Sequence, residues 1–281
     1  MEKTLAAAIK KRTSIRTYEK RPLKNHDLDT IRSLLAEHET MIGPFKHSLK
    51  LHLITTENQE ENDEKIGTYG FIKNAPAFIA GVTENRFEAL IDFGYIFERL
   101  ILMLTDKGYG TCWLGGTFKR SQFAGYAENT GFIPAVTPVG YPAKTQSLKD
   151  KTIRLFAQSG KRKPFESLFF DQSFTTPLKR TKAPRLAPVF DLVQRGPSAS
   201  NKQPWRFLSD GKNVHVFLAE DERYTKKLSY NIQALDIGIA MAHFEIGLVT
   251  AGIVFKRFIS EEIPDEGPNR YVLSYRLKRT K

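Results

Sequence analysis

The chain has 281 residues, 41% of them hydrophobic, enough for one large domain or two closely packed halves around a real core. Its single cysteine, Cys112, excludes an intramolecular disulfide and a multi-cysteine metal site. A formal net charge of +12 raises nucleic acid as a partner. Much of the excess is local: residues 141–185 hold 11 Lys/Arg against 3 Asp/Glu. That stretch suits a nucleic-acid stripe, a solvated connector or a phosphate-binding rim. No readable nucleic-acid motif accompanies it, so a dedicated nucleic-acid partner is not expected. Met1-Glu2-Lys3-Thr4 leads into a short helix, and no run reaches the ~18 apolar residues of a membrane span. The expectation is a cytoplasmic chain with no membrane partner.

In chain order, residues 3–11 read as an Ala-rich helix with Leu5 and Ile9 one turn apart. A second helix runs from Asn25 to His38, with Leu28, Ile31, Leu34 and Leu35 on one face and Asn25 as a plausible cap. Leu49 to Ile54 alternates as a strand, and Ala77 to Val82 is a strand opened by Pro76. Ala89 to Lys107 is apolar around most of its circumference, which predicts burial on several sides. Pro134 to Val139 is a short strand. After the basic stretch come a helix near Pro188 to Gln194, strands at Trp205–Leu208 and Val214–Leu218 joined across Asp210-Gly211, a second apolar helix from Tyr230 to Leu248, and a final strand from Arg270 to Leu277.

The two apolar helices match in register. Asp92-Phe93-Gly94 answers Asp236-Ile237-Gly238, and Gly108 answers Gly252, each pair 144 positions apart. Pro22-Leu23 and the helix, loop and strand after it resemble Pro177-Leu178 and its sequel. Coincidence between two apolar helices is the plain alternative. The repeated order of elements favours duplication of one unit, with residues 1–160 as the first half and 161–281 as the second. In such an arrangement the apolar helices pack at the internal interface, where ligand pockets form.

Three stretches carry the chemistry. Arg12, Ser14 and Arg16 alternate just beyond a helix, so an extended backbone points all three to one side. Two guanidiniums and a hydroxyl can cradle a phosphate monoester; surface arginines at a helix end are the plainer reading. Gly108 to Gly116 holds four glycines in nine residues, which lets backbone N–H groups approach a ligand. Cys112 lies among them with no histidine near it in sequence, which favours a structural thiol over a nucleophile. Pro197, Ser198, Ser200, Asn201 and Gln203 set short polar groups before Trp205, in what is either a ligand loop or an ordinary polar turn.

Together these stretches resemble the flavin-dependent nitroreductase family in a fused, tandem form. The resemblance rests on Arg12-Thr13-Ser14-Ile15-Arg16-Thr17-Tyr18, Asn74-Ala75-Pro76, Gly108-Tyr109-Gly110-Thr111-Cys112-Trp113, Pro138-Val139-Gly140-Tyr141-Pro142 and the run Pro197 to Trp205. It implies an α+β fold: central antiparallel sheets flanked by helices, in two fused copies that form a pseudo-dimer within one chain. It also implies FMN at the interface of the halves. Arg12, Ser14 and Arg16 would hold the phosphate end, with Arg154 as the further cation and Lys151 behind it. Pro197, Ser198, Ser200 and Asn201 would line the flavin from the other half. The Gly110-Thr111 backbone would approach the isoalloxazine.

Each motif occurs once. The first half has Met41-Ile42-Gly43-Pro44-Phe45-Lys46 in place of the Pro-Ser loop, and the second half has no Arg-x-Ser-x-Arg. The surviving sets are complementary, so one FMN site per chain is expected, in a chain that can remain monomeric. The implied activity is transfer of electrons from NAD(P)H to a flat acceptor such as a nitroaromatic or quinone. No side chain is assigned acid–base catalysis. The alternatives are a flavin-binding sensor or storage protein with little turnover, and a basic nucleic-acid-binding protein.

Overall fold

The computed structural model describes residues 1–56, 67–127, 131–144, 161–226 and 228–278. The helices are α1 (Glu2–Lys11), α2 (Asn25–Glu39), α3 (Phe87–Asp106), α4 (Ala187–Gln194), the single turn α5 (Glu222–Thr225) and α6 (Ile232–Thr250). The strands are β1 (Lys50–Thr55), β2 (Ala77–Val82), β3 (Gly110–Thr111), β4 (Val136–Gly140), β5 (Phe169–Asp171), β6 (Ser173–Pro177), β7 (Trp205–Ser209), β8 (Asn213–Ala219), β9 (Phe255–Phe258) and β10 (Asn269–Leu277).

They form two sheets with one shared plan. The first has the order β1-β2-β4-β3, and all its pairs are antiparallel. The second contains β7-β8-β10-β9, again antiparallel throughout, and is extended beyond β7 by β5 and β6. The unit α2-β1-β2-α3-β3-β4 therefore recurs as α4-β7-β8-α6-β9-β10, with α5 inserted before α6. The repeat read in two helices extends to whole layers, and the α+β fold of flanked antiparallel sheets is present. The addition is β5, which runs parallel to β7. Neither β5 nor β6 was expected from sequence.

The two long helices pack against each other at the centre, and their glycines explain how closely. A Cβ on Gly94 would lie 2.1 Å from the Leu235 carbonyl oxygen, and one on Gly238 would lie 2.0 Å from that of Ile91. The contacts are reciprocal across the repeat, as an isologous interface requires. Only glycine lets two helix backbones approach this far. Both helices stop in the same way, at Gly108 (φ 88°) and Gly252 (φ 68°).

One continuous apolar core, including Phe93, Phe97, Phe190, Phe207 and Phe244, spans both halves. α1 seals a further edge of it, with Leu5, Ala8 and Ile9 packed on Leu102, Leu192 and Ile246. α6 is long and apolar enough to cross a membrane, but 94% of that span is buried inside the fold. It is the core helix of the second half.

Candidate functional site

Where α1 ends, Arg12 leaves helical geometry (ψ 127°) while its N–H still bonds to Ala8 O at 2.8 Å. The chain then runs extended beside β3: Ser14 pairs with Thr111 in a parallel bridge, and Ile15 N donates to Thr111 O at 2.8 Å. Further on, Lys73 N donates to Arg16 O at 2.8 Å. This strand-like pinning places Arg12, Ser14 and Arg16 together in the wall of a cavity of about 540 Å³, as the alternation predicts. That size is within the ~300–1,000 Å³ of small-molecule sites.

The loop after α4 lines the same cavity with Pro197, Ser198, Ser200 and Asn201. Ser200 (φ 47°), Asn201 (φ 54°) and Gln203 (φ 46°) all occupy the left-handed region. Strain of that kind costs ~1–3 kcal/mol per residue and persists only where the surroundings enforce it. Here they do. Gln203 N donates to Ser198 Oγ at 2.9 Å, and Lys163 N donates to Gln203 Oε1 at 2.9 Å. Asn201 Nδ2 donates to Lys161 O at 2.7 Å, and Ser200 Oγ pairs with Tyr224 Oη at 2.9 Å. Much of the polar chemistry of Ser198, Ser200 and Asn201 thus fixes the loop's own shape, so the loop is preorganised.

Between these walls, Cys112 to Thr117 form one side, and Ile232, Leu235 and Ile239 of α6 present an apolar face on the other. Gly110 and Thr111 are not among the lining residues. The absent Gly110 side chain makes room for Ile15, whose Cγ2 would stand 2.8 Å from a Cβ there. The thiol of Cys112 is buried and free of disulfide bonding. Arg154 and Lys151 lie outside the described residues.

The cavity also holds residues that sequence reasoning missed. Arg162 donates to Asn201 Oδ1 at 3.0 Å and to Arg195 O at 3.1 Å. Burial lowers its pKa, with Arg12 and Arg195 adding like-charge repulsion. Its only signal in sequence was membership of a basic run. Asp236 lines the cavity too, and its place in the repeat was the available clue. Among the described residues, Arg12 and Arg16 form no salt bridge with a carboxylate, and the Nη1 atom of each is buried without a hydrogen-bond partner. Buried guanidinium N–H groups without acceptors are costly. An anionic ligand group satisfies them, and a phosphate monoester has the geometry to do so bidentately. The residues present therefore fit a phosphorylated, flat cofactor.

A family model described as "Putative TM nitroreductase" matches residues 4–248. The chain belongs to this nitroreductase family. Among solved structures, one described as a "putative nitroreductase" from Thermotoga maritima aligns over 97% of this chain and 92% of its own, with 18% identity and a TM-score of 0.57. That likeness shows a shared fold. A nitroreductase family protein from Clostridium novyi NT covers 50% of this chain and 86% of its own at 24% identity and a TM-score of 0.39. A nitroreductase with bound FMN from Bacteroides fragilis covers 51% and 91%, at 18% identity and a TM-score of 0.39. No curated protein matches the chain.

Proposed function

We propose that this nitroreductase-family chain binds one FMN between its halves, residues 1–160 and 161–281, and uses it to pass electrons from NAD(P)H to a flat acceptor such as a nitroaromatic or quinone. The observation that carries the reading is the pair of buried, unpartnered Nη1 atoms on Arg12 and Arg16, residues that line the same cavity as a strained, heavily bonded loop from the other half. When bound, FMN supplies reversible hydride chemistry, and the protein binds, orients and shields. Arg12, Ser14 and Arg16 hold the phosphate end, with Arg162 adding positive charge beside Asn201. Ile232, Leu235 and Ile239 offer a flat apolar surface to a ring and exclude water from it. Pro197 to Asn201 close the cavity from the second half.

The interface that two chains would build lies within one, so a monomer suffices. Arg12, Arg16 and Arg162 all line the cavity, which favours a small anionic ligand over a nucleic-acid stripe as their partner. Steady-state oxidation of NADH or NADPH by the FMN-loaded protein, with menadione or a nitrofuran as acceptor, tests the reading. Acceptor-dependent turnover is expected. Bound flavin without turnover would point instead to a sensor or storage protein.

A further inference from the structure

Asp92 and Asp236 stand 144 positions apart at the same point of the repeat, each beneath the loop of its own half. Asp92 is fully buried and both its oxygens are engaged. Oδ1 accepts from Phe45 N at 2.9 Å; Oδ2 meets His47 N and the His47 ring, each at 2.9 Å. Asp236 is only 3% exposed, and its Oδ1 accepts from Ala199 N at 2.9 Å. Its Oδ2 is buried and has no partner. The loops make the difference. After Phe45 the chain turns through Lys46 (φ 73°) and returns the His47 N–H to the carboxylate. After Ala199 the left-handed Ser200 and Asn201 carry the chain elsewhere, towards Tyr224 and Arg162.

Asp236 thus sets a buried carboxyl group with one unpartnered oxygen in an otherwise apolar wall, beside Ile232, Leu235 and Ile239. Burial raises its pKa well above the usual carboxylate range, opposed by the Ala199 N–H; none of the cavity arginines contributes. Neither oxygen meets a cavity arginine: Oδ1 accepts from Ala199 N and Oδ2 has no partner. A carboxyl group accepts hydrogen bonds when ionised and also donates one when protonated. A flat heteroaromatic ring laid on the α6 face carries its carbonyls and N–H groups on its edge, where such a group can meet them.

We propose that Asp236 is a binding residue for the ring end of the cavity's ligand: its Oδ2 hydrogen-bonds a polar edge atom of the isoalloxazine laid on the α6 face. The assignment rests on the flavin reading. The counterpart Asp92, closed by its own loop, contacts no ligand and serves structure alone.

The test is titration of the flavin-free protein with FMN and with riboflavin, which lacks the phosphate, followed by flavin fluorescence and visible absorption. Asp236→Ala should weaken both ligands by about tenfold or more, the scale of an interaction lost from a buried polar group. Asp236→Asn keeps an acceptor for Ala199 N and nearly the same shape, so it carries the test if the alanine variant does not fold. It should weaken both ligands less and shift the bound flavin's visible band. Asp92→Asn should lower the melting temperature and leave both affinities unchanged. Wild-type riboflavin affinity and an unshifted band in Asp236→Asn would overturn the assignment while leaving the flavin reading intact. A wild-type protein that takes up neither flavin would overturn both.

Discussion

Trp113 Nε1 donates to Glu98 Oε2 at 2.7 Å, tying the cavity wall to the interface between the two central helices. The other Glu98 oxygen meets His243 Nε2 of α6 at 2.9 Å, and His243 Nδ1 reaches Leu192 O, also at 2.9 Å. A carbonyl oxygen can only accept, so Nδ1 carries hydrogen and one further proton lies between His243 and Glu98. Glu98, His243 and Leu192 are buried, and Trp113 is partly so. Glu98→Ala leaves the indole N–H and the imidazole without their shared partner and should cost ~3 kcal/mol. Urea denaturation measures that loss. Flavin affinity should fall with it, because Trp113 loses its anchor; Glu98→Gln should retain more of both.

The close helix crossing makes a second prediction. Gly94→Ala drives a methyl group into the Leu235 carbonyl, and Gly238→Ala drives one into that of Ile91. Neither neighbour is a side chain that can swing aside, so the helices must separate. Each change should destabilise by ~2–3 kcal/mol or more, seen as a lower melting temperature. The contacts are reciprocal, so the two losses should be similar. A large change for one and none for the other would contradict the packing described.

Arg12 and Arg16 should matter to the phosphate and not to the ring. Charge-assisted hydrogen bonds contribute ~1.5–3 kcal/mol each, and every ~1.4 kcal/mol is tenfold in affinity. Replacing both with Ala should weaken FMN binding by about 100-fold or more. Riboflavin binding should change little. Equal losses for the two ligands, measured by fluorescence titration, would remove the arginines from the phosphate end.

Asp210 sets a pH dependence far from the cavity. At the β7–β8 turn its carboxylate accepts from Lys212 N, Asn213 N and Asn213 Nδ2, and it meets His215 Nε2. These hydrogen bonds overcome partial burial and hold its pKa down to about 2, from 3.8. A lowered folded-state pKa means that the stabilisation is fully present above 3.8 and is lost as pH falls through about 2. Asp210→Ala should therefore melt below the wild type at neutral pH, with the gap closing below pH ~4. A gap independent of pH would show that the charge contributes nothing.

Much of the fold was legible because its signals are local. Ala77–Val82 forms β2 with the expected bounds, and the apolar faces of α3 and α6 mark them as core helices. β5 was hidden because three residues, Phe169-Phe170-Asp171, become a strand only when β7 arrives from later in the chain. β3 and β9 escaped for the same reason: two and four residues carry no period. Within the site, alternation exposed Arg12, Ser14 and Arg16, and turn residues exposed the Pro197 loop. Arg162 looked like one more surface cation, since its burial is a tertiary fact. Asp236 showed its repeat partner in the sequence, but not the oxygen its loop leaves uncovered.

Residues of both halves build one flavin site per chain on the proposed function. Flavin-to-chain stoichiometry, read from the visible spectrum of protein reconstituted with FMN, tests it most directly. The account predicts one FMN per chain. A value near two, or no bound flavin at all, would contradict it.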